Sequence, residues 1–248
     1  MKLKLNGMQM KVIAVLAMLT DHIGAVFLSD YVSPFWMGSY RVSFMAAGIV
    51  GKFTVGAYYC CRAVGRLAFP LFCFLLVEGF VHTKNRTMYL LRMLVFAFIS
   101  EVPFDLAFYQ QPFYYDKQNV FFTLFAGLLA LCFIEWLTDR EKVKQVIAIL
   151  ISVSVIILLL FVVNEVNTDY SVKGVLLVIC LYLFKKHGVM QAVSGALLLN
   201  DKKALLAFIP IYLYNGERGN CGRLMKYGFY IFYPLHLLIL GLLKMIIY

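Results

Sequence analysis

The sequence predicts an all-α bundle of about eight or nine membrane-spanning helices, folded as a single domain over residues 1–248. Apolar residues make up 62% of the chain and charged residues only 15%, against roughly 45–50% and about 25% in soluble domains. The mean hydropathy is +0.83. The apolar residues are also grouped into runs, most of them near the length of about 20 residues that crosses a bilayer. This pattern excludes a soluble enzyme, a disordered protein and a secreted disulfide scaffold.

The apolar runs give the predicted order of the helices. They fall at residues 10–28, 63–81, 88–108, 120–137, 145–163, 170–184, 188–199, 204–214 and 227–247. The runs 188–199 and 204–214 are short for a crossing, so we predict a re-entrant hairpin there. The stretch 42–60 belongs to an insertion at about 30–60, and we predict that it lies at the interface or re-enters. A crossing at that point would leave Lys52 in the membrane and reverse the charge bias of every later loop.

Lysine and arginine are concentrated on one side of this predicted topology. The chain carries 23 Lys and Arg against 13 Asp and Glu, a net charge of +10. Fourteen of the 23 cations fall on the side of the N-terminus, which the positive-inside rule assigns to the cytoplasm. The positive charge therefore requires no nucleic-acid partner. The six cysteines lack the spacing of a metal site or a disulfide framework, so we expect no bound metal.

Polar residues inside the predicted helices mark candidate sites, because such groups are costly in lipid. Counting residues along each helix places one group at a common depth in the outer half of the membrane. Its members are Asp21, His22, Arg66, Glu101, Asn119 and Thr123, with Asp105 just beyond Glu101. A second group, in the inner half, contains Glu78 and His236.

His22 is the candidate proton carrier of the outer group. An imidazole can take up and release a proton near neutral pH. Asp21 points about 100° away from His22 on the same helix, so it is poorly placed to orient the ring. We therefore expect an orienting carboxylate from another helix, and Glu101 is the best-placed candidate.

Most of these polar groups also have a structural explanation. Arg66 and Glu101 could neutralise each other and hold two helices together. Asn119 is of the type that forms hydrogen bonds between membrane helices. Glu78 could pair with Arg92 near the inner surface. These alternatives stay open from the sequence alone.

Several segments together resemble the TraX family over about residues 9–240. They read KVIAVLAMLTDHIGAVF, GRLAFPLFCFLLVEGF, HTKNRTMYLLRML, SEVPFDL, NVFFTL, YNGERG and FYPLHLLIL, in this order. The family is named for a conjugative pilin acetylase of bacteria, which acetylates the pilin N-terminus. It is similar to a wider group of multi-pass acyltransferases that use cytoplasmic acetyl-CoA and carry a histidine near the outer end of an early helix. His22 matches that histidine, and the resemblance implies a protein of the bacterial cytoplasmic membrane.

Acyl transfer from a thioester needs a base for the acceptor and a donor for the developing oxyanion. His22 would be the base, Glu101 or Asp105 would orient its ring, and Arg66 or Asn119 would stabilise the oxyanion. The expected catalytic residues are His22, Asp21, Arg66, Glu101, Asp105 and Asn119. The phosphates of coenzyme A would stay at the cytoplasmic rim, with the pantetheine arm reaching inward. The residues expected to bind it are Glu78, Lys84, Arg86, Arg92, Arg218, Arg223 and His236.

Two other functions remain open from the sequence. The buried acids and histidines could form the proton relay of a secondary transporter, although no inverted repeat is visible. Alternatively, buried ions could fix helix register in a scaffold without chemistry. For the acyltransferase, the expected partners are the lipid bilayer, acetyl-CoA and an amine or hydroxyl acceptor of unknown identity (a small molecule, a glycan or a peptide N-terminus). The oligomeric state is open, with a homo-oligomer as one alternative.

Overall fold

The computed structural model describes residues 4–32, 48–138, 142–219 and 222–247, and this part of the chain is helical without a β-strand. Its α-helices are α1 (Gly7–Ile23), α2 (Ser29–Val32), α3 (Gly48–Gly65), α4 (Ala68–His82), α5 (Arg86–Tyr109), α6 (Val120–Thr138), α7 (Lys142–Glu165), α8 (Ser171–Leu183), α9 (Gly188–Leu199), α10 (Phe208–Tyr212) and α11 (Arg223–Ile247). A π-helical turn, Gly24–Leu28, joins α1 to α2. A 3-10 turn, Ala204–Ala207, precedes α10. The all-α class is therefore as predicted.

Five stretches of the described residues are long and apolar enough to cross a membrane. They are Gly7–Leu28, Gly51–His82, Val120–Leu137, Gln145–Glu165 and Gly228–Ile247. Helix α5 has 24 residues but carries four charged side chains along its length. The expected total of eight or nine crossings stays a prediction. As expected, the runs 188–199 and 204–214 form only short helices, and whether they re-enter the membrane also stays a prediction.

Helices α3 and α4 follow α1 in the antiparallel direction over its whole length. A Cβ atom on Gly24 would meet Cys61, and Arg62 contacts Asp21, so α3 lies beside the C-terminal end of α1. At the other end, Arg218 lies against Gly7 and donates a hydrogen bond to the carbonyl oxygen of His82. The pair α3–α4 thus runs from beyond the end of α1 back to its start.

The segment predicted to lie at the interface, 42–60, falls only partly within the described residues. Residues 42–47 lie outside them, as do residues 33–41 of the insertion at about 30–60. From Gly48 onward the chain is helical and packs beside α1. The second crossing was predicted to begin at residue 63, and this start is corrected. Helix α3 already covers residue 63, and α4 begins only after a break in the helix at Arg66 and Leu67.

The C-terminal helix α11 packs closely against α5. A Cβ atom on Gly241 would lie 3.0 Å from the backbone nitrogen of Ala107. The two helix backbones are therefore close together at this point, and a residue as small as glycine makes such an approach possible. By contrast, α7 leaves large apolar side chains uncovered, including Phe161 at 61% exposure. Such a surface is costly in water and is typical of a helix that faces lipid.

Candidate functional site

His22, which is half-buried, and His236, which is buried, form a hydrogen-bonded pair between α1 and α11. The Nδ1 atom of His22 lies 2.7 Å from the Nε2 atom of His236. The Nδ1 atom of His236 in turn lies 2.6 Å from the carbonyl oxygen of Phe232, one helical turn earlier. The rings of Phe108 and Tyr233 meet His22 edge-on, with centroids 5.5 and 6.0 Å away. Three helices, α1, α5 and α11, therefore fix the position of this imidazole pair.

The position of His236 differs from the sequence-based expectation, which placed it in the inner half beside Glu78. Residue counting along the last helix gives no neighbour for His236, and α11 begins at Arg223, four residues before the predicted run at 227. The hydrogen bond between the two rings shows that His236 lies at the level of His22.

Asp21 lies about 100° around α1 from His22, and it faces α3. Its Oδ2 atom lies 2.7 Å from Nη1 of Arg62. The helix backbone at Gly65 lies so close that a Cβ atom there would overlap Asp21. The second carboxylate oxygen, Oδ1, is buried and has no hydrogen-bond partner among the described residues. Asp21 is thus held beside His22 without touching its ring.

A cavity of about 760 Å³ connects this region to the opposite end of α1. Asp21, His22, Asp169 and Tyr233 line one end, which we call the histidine end. Lys11, Arg92 and Arg218 line the other, which we call the arginine end. Lys11 and His22 are separated by about 17 Å along the helix at 1.5 Å per residue. The cavity therefore spans more than half of a hydrocarbon core of about 30 Å.

Cations and aromatic rings together form the arginine end. Arg92 lies near Tyr230, and its guanidinium lies 5.8 Å from the ring centroid of Tyr89. The Nζ atom of Lys11 lies 5.4 Å from the ring centroid of Phe229. Arg218 is exposed, so it places its charge at the mouth of the cavity. Planar guanidinium groups and an ammonium group are the usual partners of phosphate oxygens.

Glu78 lines the same end and holds the loop after α10. The hydroxyl of Tyr214 donates to its Oε2 atom at 3.1 Å. Burial and the adjacent carboxylate raise the pKa of Tyr214 to about 12, so this hydroxyl stays protonated at neutral pH. The expected pair between Glu78 and Arg92 is not the contact found, because Tyr214 and His82 are the recorded partners of Glu78.

Glu101, Asn119 and Asp105 lie together but organise the loop before α6 instead of facing His22. The side-chain amide of Asn119 donates to Glu101 and, at 2.8 Å, to the carbonyl oxygen of Ala97. Its oxygen accepts from the backbone nitrogen of Phe121 at 2.9 Å. Asp105 accepts from the backbone nitrogen of Tyr114 at 2.8 Å. The expected contact between Glu101 and His22 is thus corrected, because the carboxylate of Glu101 accepts a hydrogen bond from Asn119 instead.

Arg66 also has a partner other than the expected one. Its Nε atom lies 3.3 Å from Oδ2 of Asp201, in the turn after α9. The helix break at Arg66 and Leu67 separates this side chain from the face of α4 that lines the cavity. Arg66 and Glu101 therefore do not neutralise each other.

The remaining cations of the expected phosphate site lie away from the cavity wall. Arg86 forms an ion pair with Glu135 at 2.5 Å. Lys84 is exposed and does not line the cavity. Arg223 begins α11, but its side chain lies outside the described residues. Of the expected residues, the cavity wall brings together Asp21, His22, Glu78, Arg92 and Arg218.

Sequence reasoning missed three polar residues of this region. Lys11 lies one helical turn inside α1, but the sequence pattern gave it no part in the candidate site. Arg62 was passed over because the helix was expected to begin beside it, and Asp169 because its loop was not connected with the first helix. Only the antiparallel packing of α1 and α3 could have pointed to Arg62. Among the described residues, no three His, Cys, Asp or Glu side chains are grouped as a metal site.

Comparison with known proteins gives one family and one relative. The family model described as TraX protein matches residues 6–244. The probable fimbrial assembly protein FimC, serogroup H1, of Dichelobacter nodosus is 31% identical over 272 residues, covering 97% of this chain and 96% of the relative. No solved structure matches the chain.

Proposed function

The chain belongs to the TraX family, and on that premise we propose that it is an integral membrane acyltransferase. It moves an acetyl group from cytoplasmic acetyl-CoA to an amine or hydroxyl acceptor at or across the membrane of a bacterial cell. His22 is the general base. One observation carries the proposal: a single cavity has the half-buried imidazole of His22 at one end and three cations at the other.

The arginine end has the chemistry to hold coenzyme A. The molecule carries phosphates that Arg92, Arg218 and Lys11 would bind, and these three cations line the same end of the cavity. Its pantetheine arm is narrow and flexible, and the wall between the two ends is lined by apolar residues such as Leu76 and Leu124. In this arrangement the N-terminus and the arginine end face the cytoplasm, as the charge bias of the loops favours.

The histidine end has the chemistry for the transfer itself. The acceptor nitrogen or oxygen attacks the thioester carbonyl, and His22 removes the acceptor proton. The resulting tetrahedral oxyanion collapses, the carbon–sulfur bond breaks, and His22 returns the proton to the leaving thiolate. The products are an acetylated acceptor and free coenzyme A.

A hydrogen-bond donor for the oxyanion is also present at this end. The expected donors, Arg66 and Asn119, are engaged with Asp201 and Glu101. Tyr233 lines the cavity beside His22, and its hydroxyl can donate to a developing negative charge. We assign the oxyanion contact to Tyr233.

The test uses purified protein in detergent with acetyl-CoA labelled in the acetyl group and a panel of amines and alcohols. Wild type should transfer label, and His22→Ala should lose about 10²–10⁴-fold of the rate, as expected for a lost general base. His187→Ala is the matched control, because His187 is exposed and lies away from the cavity. It should retain the wild-type rate. Folded wild type that neither binds nor turns over acetyl-CoA would contradict the proposal.

A proton-coupled transporter is the second candidate, and the same cavity favours it. Ionisable groups line both ends of a passage that covers much of the membrane thickness. The two functions differ in one measurable respect. A transporter would move protons or solute across proteoliposomes without acetyl-CoA, whereas the acyltransferase requires the thioester for turnover.

A further inference from the structure

We propose that His236 is a positioning residue that holds His22 in the tautomer protonated at Nδ1, so that Nε2 of His22 takes the acceptor proton. The catalytic consequence rests on the proposed acyl transfer. The tautomer itself does not.

The assignment starts from the carbonyl oxygen of Phe232, which can only accept a hydrogen bond. The Nδ1 atom of His236, 2.6 Å away, must therefore carry the donated proton. In a neutral imidazole the other nitrogen then has a free lone pair, so Nε2 of His236 is an acceptor. Its partner at 2.7 Å, Nδ1 of His22, must be the donor.

The same reasoning fixes the second nitrogen of His22. When Nδ1 carries the hydrogen, Nε2 of the neutral ring has the lone pair. His22 lines the cavity, so this basic nitrogen belongs to a residue that a bound acceptor can reach. A histidine base works through one nitrogen and is held in place by a hydrogen bond at the other.

The surroundings keep the ring of His236 in the required orientation. It stacks on Phe232 with a centroid distance of 4.8 Å and an interplanar angle of 15°. It is nearly coplanar with His22, at an interplanar angle of 2°. His236 is 6% exposed, so solvent competes little for its hydrogen bonds.

The contact also becomes stronger at the right moment of the reaction. When Nε2 of His22 takes the acceptor proton, the ring becomes an imidazolium with a hydrogen on both nitrogens. Its Nδ1–H bond to His236 is then a charge-assisted hydrogen bond, which is stronger than the neutral one. The proton then passes from Nε2 of His22 to the thiolate sulfur, so His236 neither gains nor loses a proton during the reaction.

Nitrogen NMR of protein labelled in its histidines tests the tautomer without any need for activity. The chain has only four histidines, and loss of one set of signals in His22→Gln identifies His22. We expect a neutral His22 protonated at Nδ1 in wild type and in His236→Gln, because a glutamine amide can accept from His22 and donate to Phe232. In His236→Phe the acceptor is missing, so we expect His22 to shift towards the Nε2-protonated form. An Nε2-protonated His22 in wild type would overturn the inference.

Kinetics with the same variants test the consequence. We expect His236→Phe to lower kcat about 10²-fold or more, with little change in the KM for acetyl-CoA, and His236→Gln to recover most of this loss. The control His187→Phe should match wild type. Equal kcat values for wild type and His236→Phe would overturn the positioning role. If wild type transfers no acetyl group, the proposed function fails, and the NMR result still decides whether His236 holds His22.

Discussion

Asp21 and Arg62 are joined by an ion pair of 2.7 Å across the interface of α1 and α3. The carboxylate is 19% exposed and the guanidinium 29%, so the pair is shielded from solvent by both helices. It lies one residue from His22, at the histidine end of the cavity. We infer that this contact fixes the end of α1 and, with it, the position of the candidate base.

The energetic role of this pair can be measured with a double-mutant cycle. Arg62→Met alone leaves a shielded carboxylate without its partner, so we expect a clear loss in the free energy of unfolding. The loss should lie below the ~3–5 kcal/mol of a fully buried pair. Arg62→Met combined with Asp21→Asn should recover a large part of it. Additive single-variant effects in thermal unfolding would show that the two residues are not coupled.

Gly65 should tolerate no larger residue, because a Cβ atom would lie 1.9 Å from Oδ1 of Asp21. We expect Gly65→Ala to destabilise the protein by about 1–3 kcal/mol, the usual cost of overpacking. Gly56→Ala in the same helix is the matched control, since nothing lies within 4 Å of its Cβ position. That variant should be neutral or more stable by up to ~1 kcal/mol. Equal melting temperatures for both variants would contradict the close packing.

The arginine end should govern the KM for acetyl-CoA. Removing one charge-assisted hydrogen bond costs about 1.5–3 kcal/mol, so Arg92→Gln and Arg218→Gln should each raise KM about tenfold or more. The kcat value should change less, because both residues lie far from His22. Lys186→Gln, which removes an exposed cation away from the cavity, should leave KM unchanged. A KM that all three variants shift equally would indicate a general charge effect.

Asn119 should prove structural. All of its side-chain contacts serve α5 and the start of α6. We expect Asn119→Ala to lower the unfolding free energy by about 1–3 kcal/mol, the cost of leaving buried partners unpaired. The kcat of the folded fraction should stay within a factor of a few of wild type. A kcat reduced a hundredfold in well-folded protein would contradict this and indicate that Asn119 takes part in catalysis.

Tyr233 should contribute to kcat through its hydroxyl. Tyr233→Phe keeps the ring that packs against His22 and Phe121 and removes only the donor. Loss of one oxyanion donor typically lowers kcat by about 10²–10³-fold. The unfolding temperature should change little by comparison. An unchanged kcat would assign the oxyanion contact to another group.

Several helices could be predicted closely from the sequence because they are continuous apolar runs. The run 88–108 corresponds to Arg86–Tyr109, and 120–137 to Val120–Thr138. The positions of these helices are determined by the local sequence, that is, by residues close to each other along the chain.

Side-by-side placement of helices could not be predicted in the same way. Residue counting gives a depth but not a neighbour, so His22 was expected to meet Glu101 and meets His236 instead. Arg66 finds Asp201, 135 positions further along the chain, because a helix break that the apolar run does not reveal redirects its side chain. Such contacts depend on packing between distant segments.

The most direct measurement of the central claim is acetyl transfer across a sealed membrane. Proteoliposomes would contain an amine or alcohol acceptor inside and receive labelled acetyl-CoA only outside, with protein oriented so that the arginine end faces out. Labelled acceptor should accumulate inside, coenzyme A should stay outside, and His22→Ala should abolish the signal while His187→Ala preserves it. No labelled acceptor on either side of the membrane with well-folded wild type, or a fully active His22→Ala variant, would contradict the account.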